Sequence, residues 1–160
     1  MTMSTSLEDA VPPRSARGDG ATLLYLIKQV ELAVRVRLDA VLREDGLTVA
    51  QYTALTVLER RPRLTSAQLA KNSFVRAQTM SAVTAELEER GLVFREQDPT
   101  HQRRQLLSVT PEGLAALERV LPDVRRIEEQ MVSGMSGAQV VGLREALQAC
   151  RSALGGGLPH

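Results

Sequence analysis

Residues 69–110 constrain this chain more than any other stretch. LAKNSFVRAQTMSAVTAELEERGLVF, then REQDPTHQRRQLLSVT, spells a helix, a turn, a second helix and two strands of apolar–polar character. The first helix shows Leu69 and Ala70. In the second, Met80, Val83 and Leu87 recur at spacings of three and four, which sets them on one inward face. Opposite that stripe stand Gln78, Ala82 and Ala85, with Ser81 beside them. These side chains are short or carry an amide, as a helix that enters a groove requires. The helix closes at Arg90-Gly91, where glycine takes the left-handed cap conformation. Strands are expected at Leu92–Glu96 and Leu106–Thr110, joined by Gln97 to Gln105 with His101, Arg103 and Arg104 at the tip.

The remainder reads as helix. Thr48-x-x-Gln51, Thr65-x-x-Gln68 and Ser136-x-x-Gln139 are capping boxes, in which the hydroxyl accepts an amide N–H and the glutamine reaches back. Thr110-Pro111 sets a cap residue before a proline at the first helical position. Helices are therefore expected at 21–44, 48–60, 65–72, 77–90, 111–132 and 136–154. In the first, Leu23, Ile27, Val30, Val34, Leu38 and Val41 form one stripe, while Tyr25, Leu32 and Val36 fall almost opposite. A helix apolar on two sides is buried between two layers, and a chain of 160 residues has few layers to spare. In the last, Val140, Leu143, Leu147, Cys150 and Leu154 trace the seam of a helix packed on a helix. Aromatic residues make up only 2%, so Leu, Val and Ala must build the core.

The implied fold class is mainly α with a small β-hairpin wing. Residues 48–110 form a winged helix-turn-helix, and helices in 21–47 and 111–155 form a dimerisation layer. Residues 1–20 and 156–160 read as flexible tails.

Net charge is +1, but residues 48–110 carry nine Lys/Arg against six acids, three of them (Glu86, Glu88, Glu89) at the far end of the second helix. The cations thus gather toward the turn and the wing, the layout of a reader of double-stranded DNA. Glutamine can bridge adenine N6 and N7, and alanine packs on thymine methyls. Gln78 is the first candidate for base readout, then Ser81, with Thr79, Ala82 and Ala85 on the same exposed side. Lys71, Arg76, Arg61, Arg104, Arg95 and His101 are phosphate candidates.

From the first helix to near the C-terminus, Leu23 to Leu154, the chain resembles the MarR family of bacterial transcription regulators. The resemblance rests on GLT at Gly46–Thr48 with Gln51-Tyr52, Leu69-Ala70, QTMS, and LEERGLV ending at Val93. It continues through Asp98-Pro99 and Arg103, then Leu107–Thr110 leading into Pro111-Glu112-Gly113. It implies a homodimeric winged-helix repressor released from its operator by a small, often aromatic, ligand. By the same resemblance Arg103 is the wing arginine that reaches the minor groove, with Asp98 as its partner. Arg37, Tyr52, Val30 and Val34 become candidates for the ligand pocket, Arg37 as the holder of a carboxylate or phosphate. Members often carry arginine where this chain has Ala77 and Ala82, which suggests an A·T-leaning site.

Two other functions compete. Some members of the family sense oxidants through cysteine, but Cys150 falls on the apolar seam and is expected to be a buried thiol. A winged helix can also serve protein partners alone, against which the basic turn and Arg103 argue. Enzyme function has little support: His101 and His160 are the only histidines, neither has a partner pattern for metal or nucleophilic catalysis, and no phosphate loop exists. No cofactor or metal is implied. The single cysteine, the lack of a long apolar run and the lack of a signal-peptide core point to a cytoplasmic protein without membrane association.

Overall fold

The computed structural model describes residues 21–155; the tails expected at 1–20 and 156–160 lie outside the described residues. The chain falls into two units, 1–33 and 34–160. The first contributes the opening half of helix α1 (Leu23–Glu44), where every described residue except Glu31 is exposed. In the second unit α1 continues to Glu44 and buries only Leu42.

Helices α2 (Val49–Arg60) and α3 (Ser66–Asn72) start where the capping boxes predict. Thr48 Oγ1 accepts Gln51 N at 3.1 Å, Thr65 Oγ1 accepts Gln68 N at 3.2 Å, and each glutamine reaches back to the cap amide. Helix α4 (Ala77–Glu89) ends on Gly91, whose φ of 68° is the left-handed conformation that favours glycine. Helix α5 (Pro111–Met131) opens on Thr110, whose Oγ1 accepts Gly113 N at 3.0 Å, and α6 (Gly137–Ala153) opens on the third capping box at Ser136. The core joins Leu42 and Leu47 to Leu55, Leu58, Leu69, Met80, Leu87, Val93, Leu107, Leu117 and Val120. No aromatic side chain lies among its fully buried members.

Strands β1 (Val93–Asp98) and β2 (His101–Val109) are longer than expected, so most of the segment 97–105 is strand rather than loop. Val93 pairs with Val109 and Gln97 with Gln105, but Asp98 pairs with His101. That shift leaves Gln102, Arg103 and Arg104 outside the ladder, and Gln97 Nε2 donates to the freed Gln102 carbonyl at 2.6 Å. A third piece, absent from the sequence reading, lines the other side of β2. Leu107 N donates to Leu64 O at 2.7 Å, and Leu64 N and Arg63 N donate to Leu107 O at 3.2 and 3.0 Å. The wing is thereby stitched to the start of α3.

At the foot of the hairpin, α5 approaches β1 so closely that a Cβ on Gly113 would lie 2.1 Å from the Leu92 carbonyl oxygen. All buried residues of α5 (Gly113, Ala116, Leu117, Val120) precede Pro122, and α6 has none. Cys150 is therefore exposed, contrary to expectation. Among the described residues, the seam is covered only in part: Val140 and Leu143 are half-buried, while Leu147, Cys150 and Leu154 are exposed.

Candidate nucleic-acid interface

Helix α4 buries the predicted stripe of Met80, Val83 and Leu87 together with Thr84, whose hydroxyl donates to Ser81 O at 3.1 Å. Burial of that side dictates exposure of the other: Gln78, Thr79, Ser81, Ala82 and Ala85 all face solvent. The Ser81 hydroxyl donates to Ala77 O at 3.0 Å, which leaves its oxygen lone pairs free to accept. In contrast to α2, α3, α5 and α6, helix α4 has no side-chain cap, because its N-cap residue is Arg76. An uncapped first turn presents amide donors and the positive end of the helix dipole to an incoming anion.

The basic residues divide into two groups. Lys71, Arg76 and Arg103 are exposed and make no side-chain hydrogen bond or ion pair with the described residues. Others are tied down. Arg61 Nη1 donates to Asn72 Oδ1 at 3.4 Å, Arg63 pairs with Glu96 at 2.5 Å, and Arg95 pairs with Glu88 at 3.2 Å. In the wing, Asp98 pairs with Arg104 at 3.7 Å and not with Arg103, the partner expected from the resemblance. The reason is local. Asp98 Oδ1 accepts Thr100 N at 2.9 Å and Thr100 Oγ1 at 2.7 Å, closing the turn, and its other oxygen faces Arg104. Those Thr100 bonds, with lesser help from Arg104 and His101, hold the Asp98 carboxyl below its ordinary value. Arg103 is left unengaged on the bulge.

This geometry has counterparts among known proteins. A model described as MarR family matches residues 45–104. The HTH-type transcriptional repressor Rv2887 of Mycobacterium tuberculosis is 31% identical over 121 residues, 76% of this chain and 87% of that protein. The chain belongs to the MarR family. A crystal structure of Rv2887 with salicylic acid has a TM-score of 0.68 at 29% identity, covering 82% of this chain and 98% of the other. Its complex with DNA gives a TM-score of 0.68 at 27% identity with the same coverage. As a MarR-family member, the chain is a transcriptional regulator and not an enzyme, and no described helix is long and apolar enough to cross a membrane.

Sequence reasoning missed the device that positions α4 in this MarR-family lobe. Gln51, 4% exposed, accepts Thr48 N and Arg90 Nη1 on Oε1 at 3.1 and 3.2 Å, and donates from Nε2 to Glu86 Oε2 at 2.8 Å. The same Arg90 nitrogen donates to Gly46 O at 2.9 Å. Asp45, next in the loop, pairs with Arg119 of α5 at 3.5 Å. Gln51 was legible as a cap, but its other face, 35 residues away in sequence, was not. Of the ligand-pocket candidates, Tyr52 and Val34 are half-buried, while Arg37 and Val30 are exposed. A cavity between α5 and α6 is lined by Glu128, Met131, Val132, Val140, Leu143, Arg144 and Leu147, none of them a pocket candidate.

Proposed function

We propose that the chain is a homodimeric repressor that binds a pseudo-palindromic operator and leaves it when a small aromatic acid or acyl-thioester binds. The exposed face of α4 carries the reading: Gln78, Ser81 and Ala82 stand on an uncapped helix beside unpaired cations in the same lobe. Gln78 suits adenine, and Arg103, on a bulged wing, suits a narrow minor groove. The likeness to Rv2887, solved with DNA and with salicylic acid, supports both the DNA and the acid class of ligand.

Dimerisation is supported by apolar side chains that one protomer leaves in water. Leu23, Leu24, Ile27, Leu32 and Val36 of α1 are exposed, as are Met131, Met135, Val141, Leu147 and Leu154 toward the C-terminus. Rows of large apolar side chains left in water mark surfaces that a partner covers. In this reading 21–47 and 111–155 form the dimer layer, 48–110 reads DNA, and the half-sites lie about 10 base pairs apart. Arg37, Tyr52, Val30 and Val34 are the proposed ligand residues, with the Arg37 guanidinium meeting the carboxylate. The protein then works in the cytoplasm, where its DNA is.

The test is a mobility-shift assay on DNA upstream of its own gene, with salicylate and acyl-thioesters added. A retarded complex that each effective ligand dissolves is expected; absence of any sequence-specific complex would refute the reading. By reciprocal coupling, operator must weaken ligand binding as much as ligand weakens operator binding. Exposure of Cys150 favours one second reading, an oxidant-sensing regulator. Cys150→Ser separates the two, since a ligand-responsive repressor keeps its response.

A further inference from the structure

We propose that Phe74 reads DNA directly, its ring packing on the C5-methyl of a thymine at the edge of each half-site. The inference rests on the DNA-binding reading above and adds a base contact outside the recognition helix.

Helix α3 ends in a two-bond turn: Val75 N donates to Ala70 O at 3.1 Å and Phe74 N to Lys71 O at 3.5 Å. That pattern places Phe74 where a helix end usually has glycine, and its φ is 56°. A side chain in the left-handed region is strained, and glycine or asparagine would close the same turn at lower cost. Burial does not compensate, because the ring is 81% exposed. The side chain is thus unfavourable to the fold twice over, a combination that points to a contact made outside the protomer.

The surroundings select the partner. Lys71, Asn72 and Ser73 precede the ring and Arg76 follows it, while Val75 packs against the core. Among residues 61–93 no other large apolar side chain is exposed to flank Phe74. Two unpaired cations flank it, and the turn runs directly into α4, with exposed Gln78 four residues on. A polyanion with an apolar group on its groove edge fits that setting, and thymine is the base that offers a methyl there. The two backbone bonds hold the turn, so little order has to be imposed on binding.

Phe74→Gly tests this, because it relieves the strain and should leave thermal stability equal or higher. Operator affinity should fall about tenfold, within the range for one lost base contact. Replacing thymines by uracil one at a time should weaken the unaltered chain about fourfold at one position per half-site, the worth of one methyl group removed from water. The variant should show no such penalty there, and Phe74→Leu should retain part of it. Equal operator affinity of Phe74→Gly and the unaltered chain, or an equal uracil penalty in both, would overturn the inference and leave the DNA reading intact. Failure of the unaltered chain to bind any specific DNA would overturn both.

Discussion

Gly113→Ala probes how the wing is anchored to α5. The added methyl would lie 2.1 Å from Leu92 O and 2.7 Å from Val109 Cγ2, both far inside van der Waals contact. Leu92 O cannot swing away like a flexible side chain; it is backbone, and it accepts Thr110 N at 3.0 Å. Room appears only if the first turn of α5 retreats from β1. That movement loosens the Thr110 N bond and the bond from Thr110 Oγ1 to Gly91 O at 2.6 Å. Two hydrogen bonds at about 1 kcal/mol each, plus about 1–3 kcal/mol of overpacking, outweigh the ~1 kcal/mol that alanine returns in helix preference. The net loss should be about 2–4 kcal/mol. Urea unfolding at fixed protein concentration reads it as a lower midpoint with unchanged slope. Gly142→Ala is the control, since nothing lies within 4 Å of a Cβ there in α6, and it should gain about 0.5–1 kcal/mol. If Gly113→Ala behaved like Gly142→Ala, the close approach would place no constraint on the fold and the reasoning would be refuted.

Other perturbations separate the remaining roles. Gln51→Ala strips Arg90 and Glu86 of a buried partner and should destabilise by about 1–3 kcal/mol, with a drop in operator affinity measured on still-folded protein; unchanged affinity would remove Gln51 from the positioning of α4. Asp98 has a depressed carboxyl, so its contribution is fully present above the unfolded value of 3.8 and is lost as pH falls below that toward the lower folded value. Acid titration of stability should therefore show a component in that window that Asp98→Asn abolishes, and an identical profile in the variant would contradict it. Leu147→Asp places a charge on an apolar side chain that one protomer leaves 48% exposed, and sedimentation should show dissociation; an intact dimer would exclude α6 from the interface. Arg103→Ala should weaken operator binding and reduce the salt slope by about one per subunit if the guanidinium contacts phosphate, with ligand affinity of the free protein unchanged.

What the sequence reveals and what it hides follow a physical division. Helix starts are written within four residues, and Thr48, Thr65, Thr110 and Ser136 all cap as their local patterns require. The stripe on α4 is equally local, and its exposed reverse follows from it. Strand length in the wing is not legible from alternation alone, because it depends on cross-strand partners and on the Thr100 turn. Asp98 takes Arg104 because Arg104 adjoins Gln105, the partner of Gln97, and because the Thr100 turn occupies the other carboxylate oxygen. The exposure of Cys150 is hidden for another reason: the seam pattern marks an apolar face on α6, but not what, if anything in its own chain, covers it. Phe74 carries no periodic signal, since its meaning lies in a backbone angle.

The bound arginines explain how such a lobe could respond to a distant ligand. Arg63 ties the wing strand β1 to the segment before α3, Arg95 ties β1 to α4, and Arg90 ties α4 to α2 and to Gly46. Each exposed pair contributes little stability by itself, so their effect is chiefly geometrical. Together with the shared core they make wing and recognition helix one piece, which cannot be bent internally without breaking several ties. That piece is joined to α5 by the core residues Ala116, Leu117 and Val120, by the close approach of Gly113 to Leu92, by the bond from Thr110 Oγ1 to Gly91 O, and by the Arg119–Asp45 pair. A ligand that tilts α5 therefore moves α4 and Arg103 together, and in a dimer it changes the distance between two rigid readers. Release then requires only that the ligand favour the wrong spacing by a few kcal/mol, because occupancy changes tenfold for each ~1.4 kcal/mol.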